Sequence, residues 1–544
     1  MLEFLGARDG FSDQGLYLYG KFDEAPESVP YAEFPGRVAA SADFLRDHGV
    51  RPGSRVLFPF ETSAEVILSF FALMEIGALP LCVKPFALST PLRTYEEFLD
   101  RIARDHGADH VLAVPSLAPV ALPAPALPLP PAGPLASGAR RGPAVLRVPG
   151  DEETAFVQFS SGSTSFPKGI PILHGRLRAN LGMITRTDGR VPGDRVSSWL
   201  PLYHDMGLVG GMLSCFRVGC DLLLADPTSF LFDARGWWEH LSAERVMGTV
   251  IPNFAVDYSL RMMADADPAE LAELDLSRIR AVYLGSEPIN IPNLEAFTAL
   301  MEPSGLRSTA FMPCYGMAEA VLLVSSREPG QGVRTVPAPS GVPAVCVGRP
   351  MPEFTVRVRD GDGRICGENE LGLIELSGGS LATAYLGRSG TLAGDDGFYP
   401  TGDIGFLDGG ELFVTGRDGD RIKVNGQSLF AADFEQAVER LPFVRQGRTA
   451  VVESGGNILV LTDSCRETRQ DTEGCRTRVV DQLVRTLGVT VRPQDVHFLR
   501  PGQLPRTSSG KLRRRAVLEA YEGGRLRGPT LPEPAPETGA GAGS

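Results

Sequence analysis

Gln158-Phe-Ser-Ser-Gly-Ser-Thr-Ser-Phe-Pro-Lys-Gly-Ile170 is the stretch from which the rest of the chain is read. It follows the apolar run Ala155-Phe156-Val157, which predicts the end of a buried strand. Every residue from Ser160 to Thr164 is Ser, Thr or Gly, so backbone N–H groups and hydroxyls crowd into one turn. Such a turn forms a concave nest of donors suited to an anion, most often phosphate. Lys168 adds a mobile positive charge, and Pro167 and Gly169 fix the turn beside it. The pattern is not the Walker loop, because Lys168 is followed by Gly169 and Ile170 rather than by Ser or Thr.

Outward from this loop, a chain of 544 residues implies two or more domains. A hydrophobic share of 43% with 22% charged residues is that of an ordinary globular protein. A net charge of −13 argues against a general binder of nucleic acid or anionic membrane. No apolar run reaches bilayer length, and the first ten residues lack the layout of a signal peptide. The eight cysteines contain no C-x-x-C pair, which argues against zinc and against a disulfide framework. A cytoplasmic protein with reduced thiols, acting as a monomer, is expected. Among 53 basic residues, lysine occurs only at 21, 84, 168, 423 and 511. A lysine kept in a Gly-rich loop therefore suggests a specific task that arginine would serve less well.

Residues 1–115 alternate helical and strand-like patterns, with helices over 34–48 and 64–76 and strands over 55–60 and 77–83. This is the rhythm of a parallel sheet covered by helices. From 115 to 149 the chain turns to Ala and Pro and is expected to be an extended surface connection. A helix over 174–186 follows. Val196-Ser-Ser-Trp-Leu-Pro-Leu-Tyr-His-Asp-Met-Gly-Leu208 then carries an apolar strand into Pro201 and the polar Tyr203-His204-Asp205. In open α/β sheets ligands sit beyond the carboxyl ends of strands, so His204 either borders a pocket or serves as a structural hydrogen bonder. Strands ending at Pro252-Asn-Phe254, Gly285-Ser-Glu-Pro288 and Phe311-Met-Pro-Cys-Tyr-Gly-Met-Ala-Glu-Ala320 point to the same crevice. Glu319 fits either a helix-start acid or a group facing a phosphate-bridging metal. Short strands with Gly turns over 347–412 suggest a small β-rich subdomain. Within it, Asp403 of Tyr399-Pro-Thr-Gly-Asp-Ile-Gly405 is expected in a tight turn. The Gly-rich run 416–420 reads as a hinge. A small mixed α/β unit follows, with helices over 432–441 and 477–487 and strands over 448–452 and 458–461. Lys511 lies in the basic loop Leu504-Pro-Arg-Thr-Ser-Ser-Gly-Lys-Leu-Arg-Arg-Arg515, and 529–544 is expected to be disordered.

Five segments in chain order resemble the successive motifs of the adenylate-forming superfamily of acyl- and aryl-CoA synthetases, peptide-synthetase adenylation domains and luciferases. They are Ser160-Ser-Gly-Ser-Thr-Ser-Phe-Pro-Lys-Gly169, Tyr315-Gly-Met-Ala-Glu319, Tyr399-Pro-Thr-Gly-Asp403, Gly416-Arg417 and Arg506-Thr-Ser-Ser-Gly-Lys511. Within that superfamily the chain most resembles the fatty acyl-AMP ligases, through Trp199-Leu-Pro-Leu-Tyr-His-Asp-Met-Gly207, Pro252-Asn-Phe254, Pro313-Cys-Tyr-Gly-Met-Ala-Glu-Ala320 and Asn425-Gly-Gln427. The resemblance implies a large N-terminal α/β domain over 1–416, built of parallel-sheet subdomains and a small β-rich one. It implies a mobile α+β lid over 417–525 and a tail over 526–544.

It also implies a reaction of a carboxylic acid with ATP to give acyl-AMP and pyrophosphate, then transfer to the phosphopantetheine thiol of an acyl carrier protein. In that scheme Ser160, Ser161, Gly162, Ser163, Thr164 and Lys168 hold phosphates. Tyr315 stacks on adenine, Ser286, Glu287 and Pro288 line its pocket, and Gly316, Met317 and Ala318 adjoin it. Asp403 binds the ribose with Arg417 beside it. Glu319 and Thr164 meet Mg²⁺, His204 borders the α-phosphate and carboxylate, and Lys511 reaches in from the lid. The chain departs from the family pattern at Ser165 and Gly419, where Gly and a charged pivot are usual. It also has Ser428 where many CoA synthetases carry Arg, and a short Pro-rich segment over 327–346. Transfer to CoA, activation of an aryl or amino acid, and a nucleotide-binding scaffold without turnover are the competing readings. Retention of both Glu319 and Lys511 speaks against the scaffold.

Overall fold

Alternation of apolar strands with half-apolar helices from Phe34–Asp47 onward yields two parallel-rich sheets with helices between them. The computed structural model describes residues 14–88, 90–131, 146–160, 166–338, 342–424, 427–507 and 511–530. The six-stranded sheet has the order Ala126–Pro128, His110–Ala113, Arg55–Pro59, Leu79–Val83, Thr154–Phe159, Gly169–Leu173. All its pairings are parallel except the last. The nine-stranded sheet has the order Arg349–Pro350, Leu323–Ser326, Phe311–Gly316, Ala281–Gly285, Gly248–Pro252, Arg195–Ser198, Asp221–Ala225, Gly15–Tyr19, Glu27–Pro30. Its six inner strands, from Phe311–Gly316 to Gly15–Tyr19, run parallel.

Helix Ala64–Ile76 joins the two sheets. Ser63 caps it by accepting the Val66 N–H, and Gly77 ends it in the left-handed region. Phe70 packs on Phe58 and Phe156 of the six-stranded sheet, while Phe71 packs on Phe34 and on Phe216 of a helix covering the nine-stranded one. A helix apolar all round must be buried on all sides, and that is its position here.

A third, antiparallel sheet runs Phe354–Arg359, Gly372–Gly378, Tyr399–Asp408, Glu411–Arg417. The chain reaches it through Gly348, whose φ is +83° and where an added Cβ would lie 1.9 Å from the Ser326 carbonyl oxygen. Gly348→Ala is expected to lower the melting midpoint by roughly 5 °C or more, measured by scanning calorimetry. Residues 421–530 form the C-terminal region, with the hairpin Arg421–Val424/Gln427–Phe430 and a three-stranded sheet of Thr449–Ser454, Asn457–Asp463 and Val496–Leu499. Helices Ala431–Val438, Thr472–Leu487 and Arg514–Glu522 accompany them.

Several elements differ from the sequence expectation. The Ala/Pro stretch contributes an edge strand, Ala126–Pro128, beside His110–Ala113; proline is tolerated there because an edge leaves its missing donor unneeded. Strand Gly169–Leu173 intervenes before helix His174–Asp188 and pairs antiparallel with Thr154–Phe159. Asp403 lies within strand Tyr399–Asp408 rather than in a tight turn. Residues 132–145 and 531–544 lie outside the described residues.

Candidate active site

The crevice forms where the chain reverses its direction of travel across the nine-stranded sheet. Strand Arg195–Ser198 has Asp221–Ala225 on one side and Gly248–Pro252 on the other. The connections leaving the carboxyl ends of Arg195–Ser198 and Gly248–Pro252 therefore run in opposite directions, the place where ligands sit in open α/β sheets. His204 lies just beyond that end. Its Nδ1 is 2.8 Å from Asp205 Oδ1, which also accepts the Met206 N–H at 2.8 Å. Burial alone would raise the Asp205 carboxyl, but His204, Lys511 and the Met206 N–H outweigh it and hold the group below its ordinary value. The Asp205 contact fixes the His204 proton at Nδ1 and leaves Nε2 for a ligand. The next helical stretch, Met206–Leu213, is a wide turn of π type, a form frequent at functional sites.

Tyr315 and Asp403 come from different sheets. The Tyr315 hydroxyl donates to Asp403 Oδ2 at 2.6 Å, and Arg417 Nε lies 2.8 Å from Asp403 Oδ1. Asp403 and Arg417 are register partners across adjacent antiparallel strands, which is why their side chains meet. Burial raises the Asp403 carboxyl, opposed by Arg417, the Tyr315 hydroxyl and Lys511. Burial and the Asp403 charge also keep the Tyr315 phenol protonated as a donor. Gly316 is required here, because a Cβ would lie 1.9 Å from the Leu322 carbonyl oxygen. The Met317 N–H donates to that oxygen at 2.9 Å, and Ala318 is buried. Val321, just beyond Glu319, has a φ of +70°, a strained backbone for a β-branched residue. Ser286 also has a positive φ, +74°, and its hydroxyl contacts Met206 Sδ at 3.2 Å. Glu287 is half-buried and Pro288 exposed at the same strand end. Burial raises the Glu287 carboxyl, partly offset by the Phe254 N–H and by Lys511.

Ser160 and Lys168 flank the Ser/Gly-rich segment and bond to each other. The Ser160 N–H donates to the Lys168 carbonyl at 3.0 Å, and the Lys168 N–H donates to Ser160 Oγ at 3.2 Å. Ser161, Gly162, Ser163 and Thr164 lie outside the described residues. Lys168 Nζ sits 4.6 Å from the centroid of the Tyr385 ring. The Tyr385 hydroxyl donates to Glu319 Oε1 at 2.9 Å and is 3.5 Å from the Tyr399 hydroxyl. Sequence reading singled out neither tyrosine as a site residue. Tyr399 stood inside a quoted motif, but Tyr385 carried no local signal.

Lys511 arrives from the C-terminal region. Its ammonium is near enough to Asp205, Glu287 and Asp403 to lower all three carboxyls. The loop that presents it is tied at its base, with the Lys511 N–H donating to Thr507 Oγ1 at 3.0 Å and the Thr507 N–H to the Lys511 carbonyl at 2.7 Å. Three residues on, Arg514 binds Asp420 at 2.6 Å and Glu435 at 2.6 Å, anchoring the helix behind Lys511 to the turn Asp418–Asp420. The residues present fit a hard divalent cation. Glu319 gives a carboxylate on which Tyr385 takes one lone pair of about four, and Mg²⁺ ordinarily takes one or two protein carboxylates, with phosphates and water supplying the rest.

Comparison with known proteins gives the family and the fold. Residues 17–386 match the family model described as AMP-binding enzyme. A Caulobacter vibrioides protein provisionally named an acyl-CoA synthetase is 32% identical over 94% of this chain and 93% of its own. Long-chain-fatty-acid–AMP ligase FadD26 of Mycobacterium marinum is 28% identical over 91% of each chain. A structure from a study of fatty acyl-adenylate ligases of E. coli and L. pneumophila superposes with a TM-score of 0.83 at 27% identity, covering 96% of both chains. With the crevice at the sheet's switch point and the family match across most of its length, the chain belongs to the AMP-binding enzymes and is an adenylate-forming ligase that activates acids.

Proposed function

We propose that the enzyme converts a fatty acid and ATP to acyl-AMP and pyrophosphate, and then passes the acyl group to the phosphopantetheine thiol of an acyl carrier protein. A carboxylate oxygen attacks the α-phosphorus, and the bond from that phosphorus to the pyrophosphate oxygen breaks. In the second step the thiolate attacks the acyl carbon, and AMP leaves with the electron pair. The observation that carries this reading is the positive charge of Lys511, which comes from the C-terminal region and acts to lower the Asp205, Glu287 and Asp403 carboxyls. Two unit negative charges about 4 Å apart repel by about 4 kcal/mol at an effective dielectric near 20, and a cation between them reverses that term. Such chemistry is mostly positioning and charge stabilisation, so no side chain has to act as nucleophile.

In this reading Lys168 and the 160–168 loop grip the outer phosphates, and Asp403 accepts from the ribose hydroxyls. Tyr315 and the 286–288 segment flank adenine, and His204 steadies the α-phosphate and the incoming carboxylate. Glu319 would hold Mg²⁺, which when bound would supply charge neutralisation on the phosphates. The chain divides into a body over 1–416 and a lid over 417–525. Withdrawal of the lid removes Lys511 and admits the bulky thiol donor. Carrier rather than CoA as acceptor is supported by Ser428, which stands where many CoA synthetases carry Arg. The name of the Caulobacter relative favours the second reading, with CoA as acceptor.

Pyrophosphate release across a panel of fatty, aryl and amino acids is expected to be greatest with fatty acids. Acyl transfer is expected to holo-carrier and not to CoA when the two are offered in parallel. Efficient thioester formation with CoA alone would overturn the choice of acceptor, and absence of acid-dependent pyrophosphate release would overturn the activity.

A further inference from the structure

Tyr385 stands in the Gly-rich connection between strands Gly372–Gly378 and Tyr399–Asp408, and one side chain there meets two opposite charges. Its ring face meets the Lys168 ammonium, and its hydroxyl donates to the Glu319 carboxylate. The backbone on either side is pinned to the same two segments. The Leu386 N–H donates to the Gly169 carbonyl at 2.8 Å, and the Ala382 N–H donates to the Glu319 carbonyl at 2.7 Å. An ammonium and a carboxylate lining one crevice attract each other, and a direct pair would have to open before either could serve a nucleotide.

We propose that Tyr385 is a positioning residue that keeps Lys168 available for phosphate and aims Glu319 at the divalent cation. The proposal rests on the reading of the site as the place where Mg²⁺ and ATP bind. Ring and hydroxyl have separable tasks. Phenylalanine keeps the aromatic face under the ammonium and loses the hydrogen bond, while leucine loses both.

The test is calorimetric binding of ATP, with Mg²⁺ and with chelator, to the whole protein. Tyr385→Phe is expected to bind metal-free ATP as wild type does, and to lose roughly tenfold of the strengthening that Mg²⁺ brings. Tyr385→Leu is expected to weaken metal-free binding as well, by roughly threefold or more. Glu319→Gln is expected to lose the same Mg²⁺-dependent part, and Tyr385→Phe added to it is expected to cost nothing further, because both changes remove one interaction. Wild-type metal dependence in Tyr385→Phe, equal weakening with and without metal, or additivity in the double variant would each overturn the proposal. Failure of wild type to bind ATP at all would instead overturn the reading of the site.

Discussion

Lys511→Ala is expected to slow acyl-AMP formation by roughly 10²–10³-fold while changing ATP affinity by less than about threefold. The asymmetry follows from which groups hold the nucleotide and which assist attack. Ser160, Lys168, Tyr315 and Asp403 lie in or beside the three sheets of the N-terminal part and remain in place in the variant. Lys511 reaches the crevice on a separate loop and confronts three carboxylates already there. Its charge is worth most when a fourth carboxylate, that of the substrate, approaches a phosphate. Arginine at 511 is not expected to restore the rate, because its planar fork is wider than a compact ammonium. A pH consequence follows with a definite sign. Lys511 lowers the Asp205, Glu287 and Asp403 carboxyls, so its removal lets all three rise. The acid limb of the residual rate profile therefore moves to higher pH. Single-turnover acyl-AMP formation and calorimetric ATP binding give the two quantities, and equal losses in both would contradict the role assigned to Lys511.

The parts of this site that are legible in sequence are those whose chemistry is local. Ser160 to Thr164 reads as an anion nest because its donors are consecutive, though Ser161 to Thr164 lie outside the described residues, and Lys511 is conspicuous in a chain that otherwise prefers arginine. The parallel strands are legible for a similar reason: each is a short apolar run ending in a polar or aromatic tip. What escapes is whatever depends on register or on convergence. Asp403 reads as a turn former because Gly402 precedes it, yet it lies in a ten-residue strand whose register sets it against Arg417. Tyr385 is one tyrosine in a Gly-rich connection, 66 residues from the Glu319 it touches, and no spacing rule links the two. Ala126–Pro128 reads as an extended connection because proline excludes a central strand, but not an edge one. The wide turn Met206–Leu213 has the composition of any buried helix, and only its hydrogen bonding separates it from one.

Asp403→Ala is expected to weaken ATP binding by roughly 100-fold, with the loss concentrated on the ribose. The carboxylate already accepts from the Tyr315 hydroxyl on Oδ2 and pairs with Arg417 on Oδ1. An ionised carboxylate has about four acceptor sites, so both oxygens retain capacity for ribose hydroxyls. Arg417 holds this acceptor ready: burial raises the Asp403 carboxyl, and the guanidinium opposes that rise and favours the ionised form. The structural damage falls mainly on Tyr315. The Arg417 side chain is 57% exposed, so water can replace its partner, whereas the half-buried Tyr315 hydroxyl loses its acceptor at a cost of about 1–3 kcal/mol. The decisive comparison is between ATP and 2′-deoxy- and 3′-deoxy-ATP. Wild type is expected to prefer ATP over at least one of them by roughly tenfold or more, since a site built to bond a hydroxyl is left unpaired without it. Asp403→Ala is expected to bind all three alike, and to keep a melting midpoint within a few degrees of wild type, about 5 °C at most. A variant that binds ATP weakly yet still prefers it over both deoxy analogues would remove Asp403 from the ribose and leave it the support for Tyr315 and Arg417.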